Sequence, residues 1–222
     1  MRRGVVLAVA AAAGLALTGC GDVSPGAAAT VDGTTISLDS VDDIAESVCT
    51  AEVTFAGLNE QDWQPTPTSV YRANVLSLLV NEQLALLAAE ELELDVPPSQ
   101  YQPGDNPQLS DLLDEMPAGE LEPFEDYLET FGRVQALYTA IGEETGDSGG
   151  DEQKAAADGQ KYVSSYAEDR DIELDPRFGE FTRGQVVGGS GSVSVPVDGS
   201  TAETSPEEQP DVSDLPDSQI CQ

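Results

Sequence analysis

Among the side chains that could take part in chemistry are 42 carboxylic acids and three cysteines, and the chain contains no histidine. Without histidine, Ser-His-Asp and Cys-His catalysis and imidazole-ligated metal sites are excluded. Paired carboxylates can cleave glycosides, but so many acids form pairs by coincidence, and the sequence indicates no aromatic-lined sugar cleft. The acidic loop at residues 147–152 lacks the ligand spacing of a calcium loop. We therefore expect no catalytic residue, no metal and no cofactor.

Cys20 follows a segment typical of export. Residues 1–19 contain two arginines and then an apolar run at 5–17, which is too short to span a bilayer comfortably. Residues 17–20 read LTGC and resemble the lipobox of bacterial lipoproteins, in which a peptidase cuts before the cysteine and the cysteine is acylated. This resemblance implies a signal peptide at residues 1–19 and lipid on Cys20. A signal peptide cut elsewhere and a transmembrane anchor are the alternatives.

Acylation of Cys20 would decide where the protein resides. Each buried lipid methylene contributes roughly 0.8 kcal/mol, so two or three acyl chains would hold the chain on a membrane. We therefore expect a lipid-anchored protein on the extracytoplasmic face of the cell membrane. Residues 20–28, which are mostly small, would form a flexible leash.

The other two cysteines, Cys49 and Cys221, remain as a pair. In an exported chain the default expectation for such a pair is a structural disulfide. The bond would close a loop of 172 residues, for which the chain-entropy model gives on the order of 5 kcal/mol. It would also pin residues 198–222, an acidic tail with seven acids and no base, at its far end.

Charge excludes one class of partner. The chain carries 9 basic and 42 acidic residues, and loss of residues 1–19 leaves 7 basic residues and a formal net charge of −35. Because a phosphate backbone would be repelled, we expect no nucleic-acid partner. The acidity favours a solvated surface over a dedicated patch for basic partners.

The element that must position everything else is a long helix predicted at residues 67–96. The segment has no internal glycine or proline after residue 67, and Pro97-Pro98 ends it. Its apolar residues extend too far around the circumference for a surface helix, so it needs neighbours on several sides. The stripe that we expect to form the core or to bind a client includes Tyr71, Val75, Leu78, Leu79 and Leu86.

The remaining elements suggest one domain at residues 29–197, mainly α with a small sheet. Alternation around Asp32-Gly33 predicts a hairpin, and the patterns that follow predict helices at 38–50, 109–116, 123–141 and 151–169. Gly142 is expected to end the helix at 123–141. Short strands are predicted at 172–174, 186–187 and 193–197. The connection at 51–66 carries Trp63, which we expect to cover the edge of the core.

Four short segments carry a family resemblance. Residues 29–36 (ATVDGTTI) and 79–86 (LVNEQLAL) resemble the N-terminal chaperone domain of SurA-like and PrsA-like folding factors. Residues 172–179 (IELDPRFG) and 192–196 (SVSVP) are similar to the closing segment of SurA N-domain-like lipoproteins of actinobacteria. The resemblance implies a helical body beside a small antiparallel sheet made from both chain ends. It does not imply isomerase activity, because no segment remains for a parvulin domain.

Three functions follow as hypotheses. A chaperone-like protein would hold unfolded or extended segments of exported proteins in an apolar groove beside the long helix. An envelope interaction protein would instead dock one specific partner. An enzyme is the third, and it would need a cleft that gathers acids with raised pKa values.

Overall fold

The computed structural model describes residues 25–102, 104, 106–189, 212–213 and 215–222. The predictions for residues 1–24, including the signal peptide and Cys20, and for residues 193–197 fall outside the described residues, as does most of the acidic tail. The helices are α1 (Leu38–Leu58), α2 (Thr68–Glu91), α3 (Pro107–Glu115), α4 (Ala118–Thr145) and α5 (Glu152–Tyr166). The strands are β1 (Ala27–Val31), β2 (Thr34–Ser37), β3 (Thr66–Pro67), β4 (Ile172–Leu174), β5 (Gly179–Thr182), β6 (Gln185–Gly188) and β7 (Ile220–Cys221).

The sheet of the two chain ends has the order β2-β1-β4, and both pairings are antiparallel. Asp32 and Gly33 turn the β1–β2 hairpin with φ of 46° and 82°, a region that aspartate tolerates and glycine favours. The predicted fold class, mainly α with a small antiparallel sheet from both ends of the chain, is confirmed. β1 begins at Ala27, so the last two residues placed in the leash are buried in the sheet.

α1 is eight residues longer than predicted. Ser37 caps it, because the side-chain oxygen accepts a hydrogen bond from the Ser40 amide at 3.0 Å. The helix passes the predicted end at residue 50 because its buried face continues through Ala51 and Ala56. Phe55, on the additional turns, reaches the surface and is 37% exposed.

α2 is shorter than predicted at both ends. Pro67 lies outside the helix, because Thr66 and Pro67 form β3 and pair with Cys221 and Ile220 of the tail. At the other end the helix stops at Glu91, and Glu93 takes a left-handed φ of 56°. Acidic residues crowd this end, where the helix dipole disfavours negative charge.

The buried face of α2 is rotated from the predicted stripe. Leu76, Val80 and Leu84 are fully buried, and the helix packs against α1, α4, α5 and β6. Of the predicted residues, Tyr71 and Val75 are buried, Leu78 and Leu79 are half-buried against the core, and Leu86 is 38% exposed. The prediction that this helix has neighbours on several sides is confirmed.

α4 and α5 pack through two glycines. A Cβ on Gly142 would lie 1.8 Å from the Ala155 carbonyl oxygen, and one on Gly159 would lie 1.9 Å from the Tyr138 carbonyl oxygen. The prediction that Gly142 ends the helix is therefore wrong, since α4 continues to Thr145 and the glycine serves a close helix crossing. Only glycine leaves room for backbones at this distance.

Candidate functional site

A disulfide ties the end of the chain to α1. Cys49 and Cys221 are bonded, with their Cα atoms 5.8 Å apart, so the predicted pairing is confirmed. β7, which carries Cys221, pairs with β3 at the start of α2. Trp63 donates its indole N–H to the Cys221 carbonyl oxygen at 3.2 Å. The bond therefore holds Trp63 and the start of α2 beside the second half of α1.

An aromatic groove lies next to this bond. Its volume is about 680 Å³, and it is lined by α1, the segment after α1, the start of α2, α3 and α4. Its aromatic residues are Phe55, Trp63, Tyr71, Phe124 and Tyr127. Aliphatic side chains, among them Val48 and Leu112, form its floor. The groove has the size and apolar lining of many ligand sites.

The aromatic side of the groove continues along α4. The rings of Phe124 and Tyr127 are stacked with centroids 6.1 Å apart, and those of Tyr127 and Phe131 with centroids 6.3 Å apart. The spacing of three and four residues puts these rings in one row. Phe131 is 46% exposed, so the row leads from the groove onto the open surface.

The polar side of the groove is acidic. Glu52 and Asp62 line it, and no lysine or arginine is among its described lining residues. The Tyr71 hydroxyl donates to Glu52 Oε2 at 2.6 Å. Burial, this hydrogen bond and the negative charge of Glu52 raise the pKa of Tyr71 above its usual value. Burial and the same charge raise the pKa of Tyr127, so both rings stay neutral in ordinary buffers.

A second groove, of about 650 Å³, lies at the other end of α2. Leu86, Leu87, Leu94, Val96 and Leu137 give it an aliphatic lining. Arg133 also lines this groove, and it bonds Glu82 at 2.6 Å and also pairs with Glu129. Burial raises the pKa of Glu82, and the charge of Arg133 opposes that rise.

The structure separates the five residues that were predicted to form one stripe. Tyr71 lines the aromatic groove, Leu86 lines the second groove, and the other three belong to the core or pack against it. Sequence reasoning missed Phe55 and Tyr127. Phe55 was assigned to a connection, although continuing the helical period of α1 would have found it. Tyr127 falls beside the apolar stripe of α4, and only the stacked rings reveal its role.

The loop weighed as a calcium site has a structural role. Asp151 caps α5 by accepting a hydrogen bond from the Lys154 amide at 3.0 Å. The described part of the chain contains no group of three or more cysteines and acids placed to hold a metal ion. In that same part, no helix has the length and hydropathy to cross a membrane.

Comparison with protein-family models, with curated proteins and with solved structures finds no match for this chain. The resemblance to SurA-like folding factors therefore rests on the four segments quoted above. Function has to be argued from the two grooves themselves.

Proposed function

We propose that this protein is a membrane-anchored, extracytoplasmic chaperone-like protein that holds unfolded or extended segments of exported proteins and has no isomerase activity. One observation carries the proposal, namely the aromatic groove with its row of rings. Phe55 and Phe131 are the exposed members of this surface. Contiguous exposed apolar surface of this kind is typical of interaction sites.

The chemistry of the groove suits unfolded segments. Aromatic side chains provide large contact areas and lose little conformational entropy, so they bind varied apolar sequences without a fixed pattern of hydrogen bonds. The lining is supported by α1, α4 and the disulfide, so binding does not have to order the site first. Such a site fits chains that share exposed apolar residues and little else.

The anchor and the net charge support the same function. Acylated Cys20 would keep the groove at the membrane surface, where exported chains emerge unfolded. A formal net charge of −35 after removal of the signal peptide would keep a complex with an apolar client soluble.

Aggregation of a model protein tests the proposal. A chemically unfolded protein is diluted from denaturant with a stoichiometric amount of this chain, and light scattering is followed. We expect the wild-type chain to slow aggregation and the variant Phe55→Ser/Phe131→Ser to lose most of that effect. Val187→Ser is the matched control, because Val187 is 42% exposed on β6 outside the groove. Equal protection by both variants would refute the role of the groove.

Crosslinking in intact cells separates this proposal from the docking of one specific envelope partner. Many unrelated exported proteins captured through position 131 would support the chaperone-like function. One dominant partner would overturn it in favour of a dedicated interaction protein.

A further inference from the structure

We propose that the aromatic groove selects segments in which a lysine or arginine stands beside apolar residues, with the cation held between aromatic rings and the carboxylates of Glu52 and Asp62. This inference rests on the proposed function and adds the class of segment that the groove prefers. The observation that carries it is an arrangement that three arginines of this chain share elsewhere in the fold.

Three arginines of the chain share one arrangement, in which the guanidinium lies over an aromatic ring and also bonds a carboxylate. Arg72 lies 5.5 Å from the Phe178 ring centroid and bonds Asp42. Arg133 lies 5.2 Å from the centroid of the Tyr101 ring and forms a salt bridge with Glu82. Arg170 lies 3.8 Å from the centroid of the Tyr166 ring and forms salt bridges with Asp32 and Glu91. Ring faces attract cations, and a neighbouring carboxylate strengthens the site.

The aromatic groove provides rings and carboxylates without a basic side chain. Glu52 and Asp62 are exposed at its rim, and within the described residues neither forms an ion pair. The hydrogen bond from Tyr71 engages Glu52 Oε2 and fixes the orientation of that carboxylate beside the rings. A cation that completes this arrangement must therefore come from the bound segment.

Lysine and arginine suit the groove in a second way. Their methylene stems cover apolar surface while the charged group stays near water, so one side chain can use both the rings and the rim carboxylates. The strongly negative field of the whole chain would also raise the association rate of a cationic segment, most clearly at low salt. Anionic segments would be repelled by the same field.

The test uses three unstructured peptides that contain no tryptophan and differ at one central position, which is Lys, Met or Glu between apolar residues. Binding to the full-length chain is followed by the emission of Trp63, the single tryptophan, which lines the groove. We expect the Lys peptide to bind about tenfold more tightly than the Met peptide, as a cation over aromatic rings allows. The Glu peptide should bind most weakly, and raising the salt concentration should reduce the preference for Lys.

Two variants that remove the same negative charge show which carboxylates cause the preference for the Lys peptide. Glu52→Gln/Asp62→Asn should reduce the preference for Lys over Met, taken as the ratio of the two affinities in the same variant, to less than about threefold. Glu143→Gln/Glu144→Gln removes the same charge at exposed positions near the end of α4 and should keep the full preference. A loss of preference in both variants would assign it to net charge and overturn the inference.

The peptides also distinguish the two proposals. Equal binding of the Lys and Met peptides would overturn cation selection and leave the chaperone-like function standing. If no peptide changes the Trp63 emission or binds in calorimetry, both proposals are wrong.

Discussion

The two grooves flank opposite ends of α2 and have nearly the same volume, about 680 and 650 Å³, yet they differ in how their charges are satisfied. The second groove contains its own cation, since Arg133 pairs with Glu82 and Glu129. The aromatic groove has two rim carboxylates and no basic lining residue within the described chain. Each groove has two exposed carboxylates outside the ion pairs of the described chain, Glu52 and Asp62 in the first and Glu90 and Asp95 in the second. In the second groove Arg133 already lies over the one lining ring, that of Tyr101, so only the aromatic groove offers rings without a cation of the chain's own.

The grooves also differ in how they are held. The aromatic groove lies beside a covalent bond between residues 172 positions apart, which ties β7 to α1, and Trp63 donates a hydrogen bond to β7. The second groove depends on an ion pair and on the packing of residues after α2. A covalent restraint can keep large rings exposed in a fixed arrangement at little cost in chain entropy. This comparison predicts that each groove can be weakened without the other.

The largest expected effect comes from removing the disulfide. Cys49→Ala/Cys221→Ala should lower the free energy of unfolding by about 2–5 kcal/mol, because the unfolded chain regains the entropy of a long loop. Denaturant unfolding measures the loss. In native buffer, Trp63 emission should also shift to the red as β7 separates from β3. Unchanged stability together with unchanged emission would show that the aromatic groove does not depend on the bond.

The second largest effect should occur in the other groove. Arg133→Met keeps an apolar stem but leaves Glu82, which is only 6% exposed, without its opposite charge. We expect a loss of roughly 2 kcal/mol at neutral pH, less than for a fully buried pair, because Arg133 is partly in solvent.

A matched variant controls for the loss of an arginine. Arg72→Met breaks a pair whose carboxylate, Asp42, is 44% exposed, so it should cost less than about 1 kcal/mol. Trp63 emission should stay unchanged in the Arg133 variant, because Trp63 lies in the aromatic groove. Equal losses of unfolding free energy in the two variants would contradict the idea that the burial of Glu82 makes its ion pair the more important one.

Local chemistry explains which parts of this picture the sequence could predict. The hairpin at Asp32-Gly33 and the helical periods are encoded within a few residues, so the predicted hairpin and the presence of the helices match the structure, although α1 extends beyond its predicted end. The disulfide followed from counting cysteines in a chain that was expected to be exported.

The parts that sequence reasoning missed depend on distant neighbours. α2 begins at Thr68 because residues 220–221 pair with Thr66 and Pro67, and no local pattern contains that information. Gly142 has the local signature of a helix end, yet it serves the crossing with α5. The aromatic groove combines residues from four helices, so their apolar character was visible while their juxtaposition was not.

A smaller effect should follow from one hydroxyl in the aromatic groove. Tyr71→Phe removes the hydrogen bond to Glu52 and should cost about 1 kcal/mol in thermal or denaturant unfolding. Glu52→Gln keeps an acceptor for the hydroxyl and should cost less. Neither change affects the ion pair of Arg133 with Glu82, so the pH dependence of stability that Glu82 contributes should be the same in both variants. A larger cost for Glu52→Gln would mean that the charge of Glu52, and not its hydrogen bond, stabilises the groove.

The smallest effect is a pH dependence that belongs to the second groove. Because burial raises the pKa of Glu82 above its usual value of 4.5, the unfolded chain releases this proton at lower pH than the folded chain does. The contribution of Glu82 to stability is therefore full below about pH 4.5 and falls as the pH rises through the folded-state pKa. Glu82→Gln cannot ionise, so the free energy of unfolding of the wild type minus that of the variant should decrease between pH 4 and pH 7. We expect the change to stay within about 1 kcal/mol, since Arg133 offsets part of the burial cost. A difference that increases with pH would mean that Arg133 outweighs burial, and the second groove would then be held mainly by its ion pair.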